Sequence, residues 1–141
     1  MTVRDAVVGD APALVGLFDQ LGHPATLDAL EKRLRRNAIP EYRAWVFEGP
    51  GEVGVVGFAG GHLILPFEDD RPAAQLVALV VDERHRGLGA GSSLVAAFER
   101  WAEAEGAGRL SLTSRLSRER AHLFYEARGY ERTGFRFGKR L

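Results

Sequence analysis

The chain has 141 residues, which is enough for one ordinary domain with a hydrophobic core. Its 19 basic and 19 acidic side chains balance, so composition gives no electrostatic case for nucleic acid or an anionic membrane as a partner. The absence of cysteine excludes disulfides, thiolate metal sites and a cysteine nucleophile.

The beginning of the chain and its hydropathy predict a cytoplasmic protein. Met1–Asp5 is charged and is not followed by the apolar segment of a signal peptide. No apolar run approaches the length that spans a membrane. Because no repeat, low-complexity tract or linker interrupts the sequence, we expect a single domain over residues 1–141.

The first third of the chain predicts a strand and two helices. Thr2–Val8 has the pattern of a strand, and Asp10 supplies an N-cap carboxylate for a helix that ends at Gly22. Thr26 can cap a second helix, whose basic cluster Lys32–Arg36 we interpret as its solvated, C-terminal face. The residues expected to point inward from this helix are Leu27, Leu30 and Leu34.

The middle of the chain predicts a hairpin and an acidic loop. Arg43–Glu48 and Val53–Ile64 are the two strands, joined by a turn rich in glycine and proline. Four glycines in or beside the second strand favour a bulge or a close backbone approach: Gly54, Gly57, Gly60 and Gly61. Leu65–Pro72 is then an acidic loop.

The most informative segment is a buried strand followed by a glycine-rich loop and an amphipathic helix. Leu76–Val81 is the strand, Asp82–Arg86 a charged turn and Gly87–Gly91 the loop. Glycines let the backbone approach phosphate oxygens, and the first N–H groups of a helix attract anions. The inward residues of the helix are Leu94, Val95, Phe98, Trp101 and Ala102.

Three kinds of phosphate loop compete for this segment. A P-loop requires a lysine after its last glycine, where this chain has Ser92. A dinucleotide fingerprint requires a glycine at the sixth place, which Ser92 again occupies. Arg86–Gly91 instead resembles the Arg/Gln-x-x-Gly-x-Gly/Ala signature of the GNAT superfamily of N-acetyltransferases, whose loop holds the pyrophosphate of acetyl-CoA.

A second motif lies near the end of the chain. Ala121–Tyr130 resembles the late helix of that superfamily, Ala-x-x-x-Tyr-x-x-x-Gly-Phe/Tyr, with Gly129 in the position of a helix stop. The resemblance implies that Tyr125 protonates the CoA thiolate as it leaves. A phenol with a pKa near ~10 is a suitable donor for a thiolate with a pKa near ~8.5.

The resemblance covers nearly the whole chain and implies an α/β (α+β) fold. The GNAT fold has a mixed, mostly antiparallel central sheet of six to seven strands with about four helices on both faces. Arg109–Thr113 and Arg132–Lys139 are the last predicted strands, and Phe135 and Phe137 are expected to point inward from the closing one. This tail looks most like the aminoalkylphosphonate N-acetyltransferase branch.

The same resemblance implies which residues hold acetyl-CoA, with no metal. The pantetheine arm is expected along the end of the strand, the pyrophosphate on the loop amides, and one further arginine near a phosphate. The cofactor-binding residues are then Leu79, Val80, Val81, Arg86, Gly87, Leu88, Gly89, Ala90, Gly91, Ser92 and Arg118.

The general base stays unassigned. Relatives often carry a carboxylate in the CoA-binding strand where this chain has Val77, and an asparagine where it has Arg118. The candidates for the base are His23, His62, Glu68, Asp69 and Asp70. The acidic loop favours a cationic acceptor in a site walled by the two N-terminal helices, whereas the branch resemblance implies an anionic one.

We therefore predict an acetyl-CoA-dependent N-acetyltransferase that acts directly on a primary amine, most simply of a small molecule, with a homodimer as one possible assembly. The alternatives are a catalytically silent acyl-CoA-binding module, and a protein or peptide N-acetyltransferase. Retention of Tyr125 favours an enzyme, because a silent module needs the glycine loop but no donor for the thiolate.

Overall fold

Five strands form one mixed sheet in the computed structural model, which describes residues 2–113 and 118–141. They lie side by side in chain order, the first four antiparallel and the last parallel to its neighbour. The strands are β1 (Thr2–Asp5), β2 (Tyr42–Glu48), β3 (Val55–Ile64), β4 (Ala73–Val81) and β5 (Arg109–Leu112).

Four α-helices accompany the sheet in the described part of the chain. They are α1 (Ala11–Leu21), α2 (Leu27–Leu34), α3 (Ala90–Ala104) and α4 (Glu119–Glu126). Short 3-10 turns precede α1, follow α2 and precede the glycine loop. Among the described residues, no helix combines the length and hydropathy needed to cross a membrane.

The two N-terminal helices end and begin where their sequences predict. Gly22 takes a left-handed conformation (φ 89°) directly after α1, and the Thr26 hydroxyl accepts a hydrogen bond of 3.1 Å from the Ala29 amide. Asp10 stands at the N-cap of α1 but does not cap it with its side chain. Its buried carboxylate instead accepts from the Arg4 guanidinium, at 2.8 and 2.9 Å.

The helices divide between the two faces of the sheet, as the resemblance implies. On one face α1 and α2 bury Leu14, Leu17, Leu30 and Leu34 against Val46, Phe58 and Val80. On the other face α3 buries Leu94, Val95, Phe98, Trp101 and Ala102, the five residues predicted to point inward. The prediction for Leu27 is wrong, because its position in the first turn of α2 leaves it 42% exposed.

Adjacent glycines in β3 serve opposite faces of the sheet. A Cβ at Gly61 would lie 2.9 Å from the Trp101 ring, so this glycine permits the close approach of α3. The pairing of β3 with β4 shifts between Gly60 and Gly61, which leaves Val77 without a partner on β3. The predicted bulge and close approach are both present.

The expected six to seven strands are wrong in number, because the described residues form five. Within residues 118–141 no strand covers Arg132–Lys139, and Phe135 and Phe137 are 89% and 93% exposed instead of inward. Alternating apolar and polar residues indicate the two faces of an extended segment, but they do not show whether a neighbouring strand is present to pair with it. The first strand is also shorter than predicted, because it ends at Asp5 and a 3-10 turn begins at Val8.

Candidate active site

The glycine loop joins the end of β4 to the start of α3 in a conformation that favours glycine. Gly87 and Gly89 have φ values of 90° and 75°, and a Cβ at either position would meet no atom within 4 Å. The space above both glycines is therefore open. Because α3 begins at Ala90, the free N–H groups of its first turn follow the loop directly.

Charged and polar side chains fix the turn that leads into this loop. The buried Asp82 carboxylate accepts from the Arg84 amide at 3.0 Å and forms an ion pair with its guanidinium at 3.0 Å. These hydrogen bonds hold the pKa of Asp82 well below its usual range. The charge of Arg84 is thus paired with Asp82, whereas Arg86 is exposed and has no ion pair with a described residue.

Helix α4 packs against the first turn of α3. A Cβ at Gly91 would lie 3.3 Å from the Phe124 ring, so only a small residue fits there. The Arg128 guanidinium stacks 3.6 Å above that ring, donates to the Phe124 carbonyl oxygen at 2.9 Å and donates to the Ser92 hydroxyl. Sequence reasoning missed Arg128 as a third cation beside the loop, although its spacing of four from Phe124 indicates a shared helix face.

Tyr125 lies half-buried on α4 with its ring against Phe124 and Tyr130, at centroid distances of 5.3 and 6.1 Å. Its hydroxyl has no hydrogen-bond partner among residues 2–113 and 118–141. Burial raises the pKa of this phenol, and the nearby charge of Arg118 opposes that rise. The phenol is therefore protonated at neutral pH and can donate its proton.

Arg118 and Tyr130 hold the two ends of the tyrosine-bearing helix. Arg118 stands at the N-cap of α4 and donates to the Leu21 carbonyl oxygen at 3.2 Å, so its guanidinium contacts the end of α1. Tyr130 donates to the Glu99 carboxylate on α3 at 2.9 Å. A cofactor contact for Arg118 stays a prediction.

The end of β4 is the predicted support for pantetheine. Described pairing with β5 covers Ala73 to Leu76, so residues 77–81 have no described neighbour on that side. Leu79 and Val81 pack towards α3, whereas Val80 packs towards α1. Only the backbone of this segment is expected to meet a ligand, and residues 114–117, which follow β5, lie outside the described part of the chain.

A cavity of about 330 Å³ opens on the α1 and α2 face of the sheet. Its inner wall is apolar and includes Leu14, Phe18, Phe58 and Val77. A Cβ at Gly60 would lie 3.6 Å from Val77, in ordinary contact, so this glycine keeps part of the wall open. The polar lining residues are Arg33, Arg36, Asn37, Tyr42 and Arg43.

The family model described as "Acetyltransferase (GNAT) family" matches residues 15–130, from α1 to the end of the second motif. The chain belongs to the GNAT family. It is 37% identical over 93 residues to the Mus musculus protein named "Probable N-acetyltransferase family 8 member 5", covering 64% of this chain and 39% of that one. It is 34% identical over 87 residues to the aminoalkylphosphonate N-acetyltransferase of Salmonella typhimurium, covering 62% and 56%.

Solved structures share the fold of this GNAT chain at low sequence identity. A Trypanosoma brucei acetyltransferase superimposes with a TM-score of 0.84 at 21% identity, covering 99% of both chains. An aminoglycoside acetyltransferase from an uncultured soil metagenomic sample, in complex with sisomicin, has a TM-score of 0.79 at 19% identity, covering 99% of this chain and 95% of its own. The chain spans 39% and 56% of the length of the two curated relatives it matches.

The candidate bases of this GNAT domain are widely separated. His62 stacks on Tyr42, which lines the cavity, at a centroid distance of 4.4 Å. Glu68, Asp69 and Asp70 are exposed and do not line the cavity, and His23 is exposed beyond α1. The acidic loop precedes Ala73 at the start of β4, whereas the cavity reaches β4 at Val77 and Ala78, so the acidic side chains do not line this cavity. An acidic wall of the acceptor site stays a prediction.

Proposed function

We propose that this domain, residues 1–141, is an acetyl-CoA-dependent N-acetyltransferase that transfers the acetyl group directly to the primary amine of a small molecule. Membership of the GNAT family supports acyl transfer. The observation that carries the proposal is Tyr125: a half-buried phenol without a described hydrogen-bond partner, on a helix packed against the first turn of α3. The glycine loop and a phenol without a described partner thus lie on the same face of the sheet, with the α3 core.

The loop fits the phosphates of acetyl-CoA. Gly87 and Gly89 leave open space where side chains would stand, and the amides up to Ser92 belong to a helix N-terminus. Arg86 and Arg128 supply positive charge beside the loop. Arg86 has no described ion-pair partner, and Arg128 is held next to the loop by its hydrogen bond to the Ser92 hydroxyl. We assign these residues to the pyrophosphate and the backbone of Leu79 to Val81 to the pantetheine arm.

In the proposed reaction a neutral amine attacks the thioester carbonyl carbon. The C–N bond forms, the C–S bond breaks, and the electron pair leaves with the CoA sulfur. Tyr125 donates its phenolic proton to that thiolate, and the proton lost by the amine returns to the phenolate through solvent or a base. Of the candidate bases, His62 is the one held beside the cavity, through its stacking on Tyr42.

The cavity supports a small acceptor. Its volume of about 330 Å³ is at the lower end of the range for small-molecule sites. The names of the relatives do not choose among amines, because an aminoalkylphosphonate carries negative charge and an aminoglycoside carries positive charge.

The experiment measures thiol release from acetyl-CoA with a panel of amines, for the wild type and two variants. Tyr125→Phe removes the donor and lowers turnover by roughly 10²–10⁴-fold, while CoA affinity in calorimetry is retained. Tyr130→Phe is the matched control, because it removes a neighbouring hydroxyl that donates to Glu99. Equal turnover of wild type and Tyr125→Phe, with chemistry rate-limiting, contradicts the assignment.

A further inference from the structure

The cavity on the α1 and α2 face carries an excess of positive charge. Three arginines line it, and none of its described lining residues is acidic. Arg43 is compensated, because its guanidinium forms two hydrogen bonds with the Asp5 carboxylate, at 3.0 and 2.7 Å. Arg33 and Arg36 form no ion pair with any described carboxylate. Two uncompensated charges therefore line a cavity whose inner wall is apolar.

Helix geometry separates these two arginines from the other basic residues of the cluster. Arg33 lies in α2 and Arg36 lies three residues later, in the 3-10 turn that follows the helix, and both line the cavity. Lys32 and Arg35 have the same spacing but do not line the cavity. All four basic side chains are exposed, as the interpretation of a solvated face predicts, and Arg33 and Arg36 in addition line the cavity.

The backbone that carries Arg36 is held in place. The Asn37 side-chain amide donates to the carbonyl oxygens of Ala6 and Ala44, at 3.2 and 3.4 Å, which fastens the turn after α2 to the edge of the sheet. Leu34, between the two arginines, is buried in the core beneath α2. The positions from which both guanidinium groups reach the cavity are thus fixed by packing on both sides.

We infer that the acceptor of this cavity is a small amine that also carries an anionic group, a carboxylate or a phosphonate, bound by Arg33 and Arg36. Guanidinium groups bind such oxygens through paired, charge-assisted hydrogen bonds. The apolar wall accepts the carbon chain, and Val77 places the amine end at the bulge of β4. The inference rests on the proposed function, and it reverses the cationic preference expected from the acidic loop.

The test compares four acceptors of matched chain length by kcat/KM: γ-aminobutyrate, aminopropylphosphonate, butylamine and diaminobutane. The wild type is expected to favour the two anionic amines over butylamine by at least roughly tenfold, and this ratio falls as salt rises. The R33Q/R36Q variant loses the ratio. Its matched control, K32Q/R35Q, removes the same charge from neighbouring positions in α2 and the turn after it, and keeps the ratio. The carboxylate and phosphonate arms show which anion is preferred.

Two results overturn the inference: a preference for diaminobutane, or a preference for anionic amines that persists in R33Q/R36Q. A direct measurement separates this failure from failure of the proposed function. Calorimetry of aminopropylphosphonate and γ-aminobutyrate against the wild type reports binding without turnover, and R33Q/R36Q is expected to weaken it at least tenfold. Binding without acetylation of any amine contradicts the enzyme but supports the site, whereas no binding and no preference contradict the site.

Discussion

Placing a glutamate in the glycine loop tests where the phosphates bind. Gly89 and Gly106 stand at opposite ends of α3, with φ values of 75° and 78° and no atom within 4 Å of an added Cβ. Gly89→Glu and Gly106→Glu therefore introduce the same side chain into the same backbone conformation and the same open space. Only the first places negative charge in the proposed pyrophosphate site.

The two variants are expected to rank in opposite order for stability and for CoA affinity. A left-handed conformation costs each variant about 1–2 kcal/mol. The helix dipole then favours the carboxylate at the N-terminal end and disfavours it at the C-terminal end, by about 0.3–1 kcal/mol. Gly106→Glu is thus expected to be the less stable variant. A carboxylate about 6 Å from one phosphate charge, at an effective dielectric constant of about 20, costs about 3 kcal/mol of binding, which is roughly 100-fold in Kd.

The assay is calorimetric titration of CoA into both variants, after urea unfolding has measured their stability. Gly89→Glu is expected to bind roughly 100-fold more weakly than the wild type, and Gly106→Glu to bind like the wild type despite its greater loss of stability. Equal affinity of the two folded variants refutes the placement of the pyrophosphate on this loop.

Two further predictions concern the cavity and the turn before the loop. Gly60→Ala narrows the cavity with its Cβ in ordinary contact, 3.6 Å from Val77, and is expected to raise the acceptor KM at least roughly tenfold. Gly61→Ala instead lowers the free energy of unfolding, because its Cβ would lie 2.9 Å from Trp101. An unchanged KM for Gly60→Ala shows that the acceptor binds elsewhere. The Arg84 hydrogen bond lowers the pKa of Asp82 in the folded state, so its stabilisation is present above about pH 4 and is lost as pH falls further. The difference in unfolding free energy between wild type and Asp82→Asn should shrink below about pH 4, and a difference that stays constant with pH contradicts this account.

The parts of the fold set by local rules could be predicted from the sequence. The inward face of α3 follows from helical periodicity, the stop at Gly22 from its missing side chain, and the cap at Thr26 from its hydroxyl. The glycine loop was located for the same reason, because its glycines act on their own backbone. The tail was not predictable in this way, because whether Arg132–Lys139 becomes a strand depends on a distant partner.

The candidate site likewise has parts that local patterns predict and parts that depend on distant residues. The positions of Tyr125 and the loop follow from motifs, but the lining of the cavity depends on which end of a strand each loop meets. Their charge and the arrangement that the resemblance implies place Glu68 to Asp70 beside the acceptor. They precede the first residue of β4 and do not line the cavity, so this placement stays a prediction. The buried leucines of α2 show which side of the helix faces the core. Comparing the charged residues of Lys32–Arg36 with that side could have distinguished Arg33 and Arg36, which line the cavity, from Lys32 and Arg35.

The last turn of α1 touches both halves of the site. The Gln20 side-chain oxygen accepts from the Glu83 amide at 3.0 Å, in the turn before the glycine loop, and the Leu21 carbonyl accepts from Arg118 at the start of α4. The same helix forms a wall of the cavity proposed for the acceptor, through Leu14 and Phe18. If either proposed ligand displaces α1, contacts beside the other proposed site change, and thermodynamic reciprocity requires any such influence to run equally in both directions. One short helix can therefore make the affinities for the two substrates interdependent, so that each is measured correctly only at a stated concentration of the other.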